Sequence, residues 1–250
     1  MEKRFEGKVA LITGAASGMG LLTSQNLVAE GANVVMLDVN EEVLKQEAEK
    51  IGADWRVTNV REYAQIEAAV QYAKEKYGHV DITASFAGGY AARVCKDGHV
   101  FPDISLDTLD WGIDVNFRAP LYMAKAVFGI MREQKSGVII NIGSIDGVTG
   151  SHGPDYSAEK SGLIGLTKSL ALMGGPYGVR SCMVSPGPVL TRPSMANMKT
   201  MLGRAAEVQE VVDLVLYLCS DKAAFITGDN YLIDGGRACG AFQGSNLLKR

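Results

Sequence analysis

What this 250-residue chain lacks narrows it quickly. It has no C-x-x-C pair: its four cysteines, Cys95, Cys182, Cys219 and Cys239, are scattered, so neither a zinc site nor a disulfide framework is indicated. No metal is expected, and the thiols read as those of a reduced, cytoplasmic protein. It has no excess of charge, since 25 Lys and Arg face 28 Asp and Glu for a net of −3, with no basic cluster. That argues against a nucleic-acid surface and against polybasic membrane contact. No apolar run approaches the ~20 residues needed to cross a bilayer. The start, Met-Glu-Lys-Arg-Phe-Glu, runs straight into the first apolar run and leaves no room for a signal peptide. No repeat, low-complexity tract or linker divides the chain, so residues 1–250 are expected to form one domain.

Glycine, by contrast, is abundant, at 29 residues. Lys8-Val-Ala-Leu-Ile-Thr13 is a short apolar run that ends in Gly14-Ala-Ala-Ser-Gly18-Met-Gly20, and a helical segment follows. A buried strand, a glycine turn and a helix together make an anion site, because free helix N–H groups and the helix dipole face the turn. Glycine is required where backbone must approach a pyrophosphate. The spacing, G-x-x-x-G-x-G, is a variant of the commoner dinucleotide fingerprint. A turn that merely tightens a strand–helix corner would read similarly. The next expected strand, Asn33–Asp38, ends in a carboxylate that can accept from ribose hydroxyls and repel a 2′-phosphate, and no Lys or Arg stands beside it. NAD is therefore expected over NADP. A solvated strand-end Asp is the alternative.

Helix and strand then alternate: a helix near Glu41–Ile51, a strand near Asp54–Thr58, a helix from Arg61 to Tyr77, and a strand leading to Ser85-Phe86-Ala87-Gly88. The alternation predicts an α/β fold, a Rossmann-type doubly wound parallel sheet of about seven strands with helices on both faces. Tyr90–Asp107 has no clear period; following a strand end, it is expected to border the ligand crevice. A helix from Leu106 to Glu133 contains Asn116, and the strand Gly137–Ile142 leads to Ser144. A hydroxyl there can donate to a substrate oxygen.

Tyr156-Ser-Ala-Glu-Lys160 opens a helix whose Leu163, Leu166, Leu170 and Met173 form one apolar face. Tyr156 and Lys160, at i and i+4, share a face. An ammonium one turn away is expected to draw the phenol's pKa from about 10 toward the working range. Such a pair also occurs by chance; it carries weight only with a nucleotide site upstream.

Taken in order, Thr13-Gly14-x-x-x-Gly18-x-Gly20, Asn116, Ser144, Tyr156-x-x-x-Lys160 and Pro186-Gly187-x-x-x-Thr191 resemble the single-domain short-chain dehydrogenases/reductases, from about Gly7 to Gly236. The resemblance implies Tyr156 as acid/base, Lys160 on the nicotinamide ribose, Ser144 orienting the substrate oxygen, and Asn116 holding a water that links Lys160 to solvent. It implies cofactor contacts from Gly14, Ser17, Gly18, Met19, Gly20, Asp38, Asn59, Val60, Ala87, Gly88, Tyr156, Lys160, Pro186, Gly187, Val189 and Thr191. It implies a small-molecule secondary alcohol or ketone as substrate, and a homotetramer or homodimer packed through the long helices. Three departures stand out. The family's Asn-Asn-Ala-Gly is Ser85-Phe86-Ala87-Gly88, its Asp-Val is Asn59-Val60, and the segment after Thr191 looks short while Tyr90–Asp107 looks long. The substrate lid is therefore expected to have shifted to Tyr90–Asp107, with Arg93 and His99 as substrate contacts. Two other functions fit the fold: an NADP-dependent reductase of a carrier-bound ketone, and a dinucleotide-binding regulatory protein without chemistry.

Overall fold

The computed structural model describes residues 3–198 and 200–240. In chain order the elements are β1 (Val9–Thr13), α1 (Gly18–Ala29), β2 (Asn33–Asp38), α2 (Glu41–Ile51), β3 (Asp54–Val57), α3 (Tyr63–Tyr77), β4 (Ile82–Ser85), α4 (Ala91–Val94), α5 (Leu106–Ile113), α6 (Ala119–Gln134), β5 (Gly137–Ile142), α7 (Asp146–Thr149), α8 (Pro154–Gly174), β6 (Val179–Pro186), α9 (Val208–Cys219) and β7 (Asn230–Ile233). All seven strands pair in parallel, in the order β3-β2-β1-β4-β5-β6-β7.

β1 shows why both faces are covered. All five of its residues are buried, and they alternate between two cores. Ala10 and Ile12 join Leu27 of α1, Leu44 of α2 and Val215 of α9 on one face. Val9 and Leu11 join Ile66 of α3, Met123 of α6 and Leu170 of α8 on the other. Burying each such aliphatic side chain contributes ~1.5–3 kcal/mol, so a one-residue slip of β1 would exchange the contents of both cores.

The order of strand addition reverses between β1, from which the sheet grows outward to β2 and β3, and β4, from which it grows the other way to β5, β6 and β7. In open parallel sheets the crevice at such a switch point, beyond the strands' carboxyl ends, takes the ligand. One helix differs from expectation. The run from Leu106 to Gln134 is helical throughout, but Asp114–Arg118 forms a π-helical turn between α5 and α6, and Asn116 sits in it. Nothing in the apolar period of this segment signals that extra residue, because the turn is held by what Asn116 bonds to.

Candidate active site

The first half of the crevice is made of backbone. β1 ends at Thr13, and the turn Gly14–Ser17 delivers the chain into α1 with no side-chain cap at its N-terminus and no acidic residue in its first turn. The amino-terminal N–H groups of α1 are thus left for a ligand. Gly14 has φ +65°, and a Cβ there would lie 2.7 Å from the amide nitrogen of Ala87. At Gly20 a Cβ would lie 2.3 Å from the Gly14 carbonyl oxygen. Thr13 Oγ1 accepts from the Ala87 N–H at 3.2 Å, which ties β1 to the chain after β4. Asp38 closes the far end. Its carboxylate accepts from the Ala16 N–H at 3.1 Å and from the Asn40 N–H at 3.0 Å, so the acid at the end of β2 also braces the glycine turn. Asn59 and Val60 line the same cleft of about 530 Å³, as do Ser17, Gly18, Met19, Ala87, Gly88 and Thr191. Arg61 lies there too, held by Asp114 at 3.0 Å. An uncapped helix end, a turn with no room for side chains and a carboxylate at the end of β2 fit a nicotinamide dinucleotide.

The second half is made of side chains. Tyr156, Ser144 and Lys160 line an adjoining cavity of about 390 Å³, with Pro186, Gly187 and Val189 on the β6 side. Lys160 is 4% exposed, and its Nζ donates to the Ile142 carbonyl at 2.9 Å and lies 5.7 Å from the Tyr156 ring centre. Ser144 Oγ accepts from the Asp146 N–H at 3.2 Å. Asn116, fully buried, brackets Gly89: its Oδ1 accepts from the Gly89 N–H and its Nδ2 donates to the Gly89 carbonyl, both at 2.9 Å. The same Nδ2 donates to Glu159 Oε2 at 2.8 Å. Gly88 has φ +153°, and a Cβ on it would lie 2.5 Å from Asn116 Oδ1 and 3.6 Å from Lys160 Nζ. The bare backbone at Gly88 is what leaves room for Asn116 beside it.

The electrostatics depart from the sequence expectation. Tyr156 is pushed up to about 12, chiefly by burial and further by Asp146 and Glu159, while the Ser144 hydroxyl and Arg93 act the other way. Lys160 is itself pulled down to about 8 by burial, with the Glu159 charge opposing. Lys160 does not offset the burial of the phenol, so in the chain alone desolvation wins. Glu159 is pushed up to about 7 by burial, with its bond from Asn116 opposing.

Only part of the Tyr90–Asp107 segment reaches the cavity. Tyr90 and Arg93 line the cavity, and the Tyr90 ring meets Tyr156 edge-on at 6.2 Å. His99 does not; it is exposed and paired with Asp97 at 3.0 Å. The segment after Thr191, expected to be too short for cover, contributes Arg192, Met195 and Met198 to the wall. The wall is therefore shared. Phe86, standing where the family has an amide, is half-buried and lines both the cleft and the cavity. Sequence reasoning missed Asp146, Glu159 and Arg192. Glu159 and Arg192 each neighbour a motif residue, but neither position carries a spacing signal of its own.

A parallel sheet in this strand order, a glycine turn opening on an uncapped helix, and a Ser–Tyr–Lys set with its lysine buried across the switch point define a nicotinamide-dependent oxidoreductase. Comparison with known proteins agrees. A family model described as Enoyl-(Acyl carrier protein) reductase matches residues 14–238. The chain is 38% identical to trans-4-hydroxycyclohexanecarboxylate dehydrogenase of Sinomonas cyclohexanicum, over 95% of each chain. It is 33% identical to 7alpha-hydroxysteroid dehydrogenase of Bacteroides fragilis, over 93% of this chain and 95% of that one. Among solved structures, levodione reductase superposes with a TM-score of 0.86 at 29% identity, covering 94% of this chain and 99% of that one. The chain belongs to the short-chain dehydrogenase/reductase family and is an oxidoreductase acting on CH–OH groups.

Proposed function

We propose that the protein is an NAD-dependent dehydrogenase of a ring-borne secondary alcohol, working as one dinucleotide-binding and catalytic domain. The observation that carries this reading is the convergence of Tyr156, Ser144 and Lys160 on one cavity beside a cleft that ends at Asp38. The relatives named above act on hydroxyl groups of steroid and cyclohexane rings, which supports a ring substrate. Bound NAD supplies the hydride acceptor, so that alcohol and NAD⁺ give ketone, NADH and one proton.

The chain's own residues handle the proton. Ser144 Oγ, at the carboxyl end of β5, fixes the substrate oxygen beside the Tyr156 hydroxyl, which accepts the alcohol's proton in oxidation and returns one in reduction. With its pKa high, Tyr156 is poised as the donor; oxidation needs extra positive charge near the phenol to lower it. Lys160 holds the nicotinamide ribose and stabilises the phenolate. Its position is fixed by the Ile142 carbonyl. Asn116, clamped on Gly89 and Glu159, sets the height of the floor beneath Lys160. Asp38 makes NAD preferred, since a 2′-phosphate would face its carboxylate. A homotetramer or homodimer is supported by an apolar groove of about 450 Å³ between α5 and α8, lined by Leu109, Ile113, Phe117 and Ala158. Four unpaired cysteines suit a cytoplasmic protein.

The test is a screen of cyclic secondary alcohols with NAD and with NADP, following NADH or NADPH formation. Turnover with NAD and at least tenfold less with NADP is the expected result, on the scale of one lost charge-assisted contact. Better use of NADP would overturn the cofactor choice. No turnover of any alcohol, and no reduction of the matching ketones, would overturn the dehydrogenase reading.

A further inference from the structure

Two arginines stand in the mouth of the site. Arg93, on α4, and Arg192, next to Thr191, come from segments a hundred residues apart in sequence, yet both line the cavity that holds Tyr156 and Ser144. Among the described residues neither guanidinium has an ion-pair partner or a side-chain hydrogen bond. Every other arginine for which an ion pair is found (Arg4, Arg61, Arg118, Arg204) meets a carboxylate. The two are close enough to feel each other. Arg192 is held below its ordinary value by partial burial and then by the positive charge of Arg93, with Tyr156 opposing. Like charges sharing a cleft without an anion repel, and a negatively charged group placed between them would relieve that. Asp146, the carboxylate that lines the same cavity, lies where Arg237 already opposes the rise in its pKa.

We propose that Arg93 and Arg192 form an anion subsite, and that the substrate is a hydroxy acid whose carboxylate binds there while its carbinol carbon lies at Tyr156 and Ser144. The proposal rests on the dehydrogenase reading above and adds the charge class of the substrate. A planar carboxylate suits guanidinium forks, which can bind it through two parallel N–H donors. The remaining wall, with Phe86, Met195, Met198 and the Tyr90 ring, is apolar enough for a carbon skeleton between the two ends. The dinucleotide's phosphates are the other possible source of negative charge, because both arginines also border the cofactor cleft. Those phosphates already have the uncapped N-terminus of α1 as their donor set. The arginine pair is left for the substrate.

The experiment compares 4-hydroxycyclohexanecarboxylate with its methyl ester, which keeps the ring and carbinol but removes the charge. Wild-type protein, Arg93→Gln, Arg192→Gln and the double variant are each measured, with NAD affinity determined alongside. Wild type is expected to favour the acid in kcat/KM, and each substitution to lower that preference about tenfold through KM, the size of one charge-assisted hydrogen bond. Arg93 also acts on Tyr156 and both arginines border the cofactor cleft, so a loss shared by acid and ester cancels in the acid-to-ester ratio of kcat/KM, which is the quantity read. NAD affinity should change less than that ratio. No preference for the acid in wild type, or equal losses for acid and ester, overturns the proposal. Weakened NAD binding with the acid-to-ester ratio unchanged assigns the arginines to the cofactor and overturns it as well. A second arm separates this from failure of the dehydrogenase reading: binding of cyclohexanecarboxylate and of its neutral amide to the NADH-loaded protein, read by NADH fluorescence. If no alcohol turns over but the carboxylate binds wild type selectively and the double variant does not, the subsite stands and the chemistry falls. If the carboxylate does not bind selectively, the subsite falls.

Discussion

On the reading proposed above, the cofactor side and the substrate side of this crevice are built from different materials. The cofactor side is main chain: Gly14, Gly20, the bare start of α1, and a turn braced by Asp38. Its geometry is set by what cannot be there, since a single Cβ at Gly20 would meet a carbonyl oxygen at 2.3 Å. The substrate side is side chain: Tyr90 and Arg93 from one loop, Arg192, Met195 and Met198 from another, facing a rigid floor at Ser144, Tyr156 and Lys160. A site made of excluded volume tolerates few sequences. A wall made of loop side chains tolerates many, and that is where members of one fold differ in substrate.

The contrast can be broken at the cofactor side with the largest effect. Gly14→Val would need a side chain at φ +65° and a Cβ 2.7 Å from the Ala87 nitrogen. NADH binding is expected to disappear from a fluorescence titration, with thermal stability also reduced; near-normal affinity would show that the turn is not a cradle. Tyr156→Phe strikes the floor instead. Turnover should fall at least ~10²-fold, the scale of a lost general acid/base, while NADH affinity holds. A variant that keeps most of its activity would remove Tyr156 from the chemistry.

Smaller effects sharpen the boundary between the halves. Asp38→Ala should narrow the preference for NAD over NADP by roughly tenfold, through lost ribose hydrogen bonding and relieved repulsion. Steady-state constants with both cofactors decide it. Glu159→Gln should change the pH dependence of stability more than its size. Burial raises the Glu159 carboxyl to about 7 from an ordinary 4.5. The folded state therefore holds that proton more tightly, so its contribution is full below about 4.5 and is lost as pH rises through about 7. Gln stays neutral, so the variant's Tm should vary less from mildly acid to mildly alkaline pH and exceed wild type at the alkaline end. Parallel curves for the two proteins would contradict the buried-carboxyl assignment.

Legibility in the sequence followed the same division. The parallel sheet, the helices on both of its faces and the glycine turn could be read from the chain because alternating helix and strand patterns and glycine spacing are local consequences of backbone geometry. The expected helix from Leu106 and the expected strand Gly137–Ile142 reappear within a residue or so. The protonation states were not legible. Whether Lys160 lowers Tyr156 depends on how deeply each is buried and on Glu159, and no spacing rule reports desolvation. Arg93 was marked by its place after a strand end, but its partner Arg192 was not, because two loops a hundred residues apart meet only in three dimensions. His99, equally placed in sequence, turned outward to Asp97.

The π-turn at Asp114–Arg118 carries a consequence for how this chain can vary in length. Such a turn accommodates one residue more than an α-helix needs, within an otherwise unbroken helical run. Deleting a residue there would let α5 and α6 fuse into plain helix, an easy change for the backbone. It would also rotate Asn116 about a quarter-turn or more away from Gly89 and Glu159. Loss of one residue here would thus keep the helix while releasing the hold of Asn116 on Gly89 and Glu159.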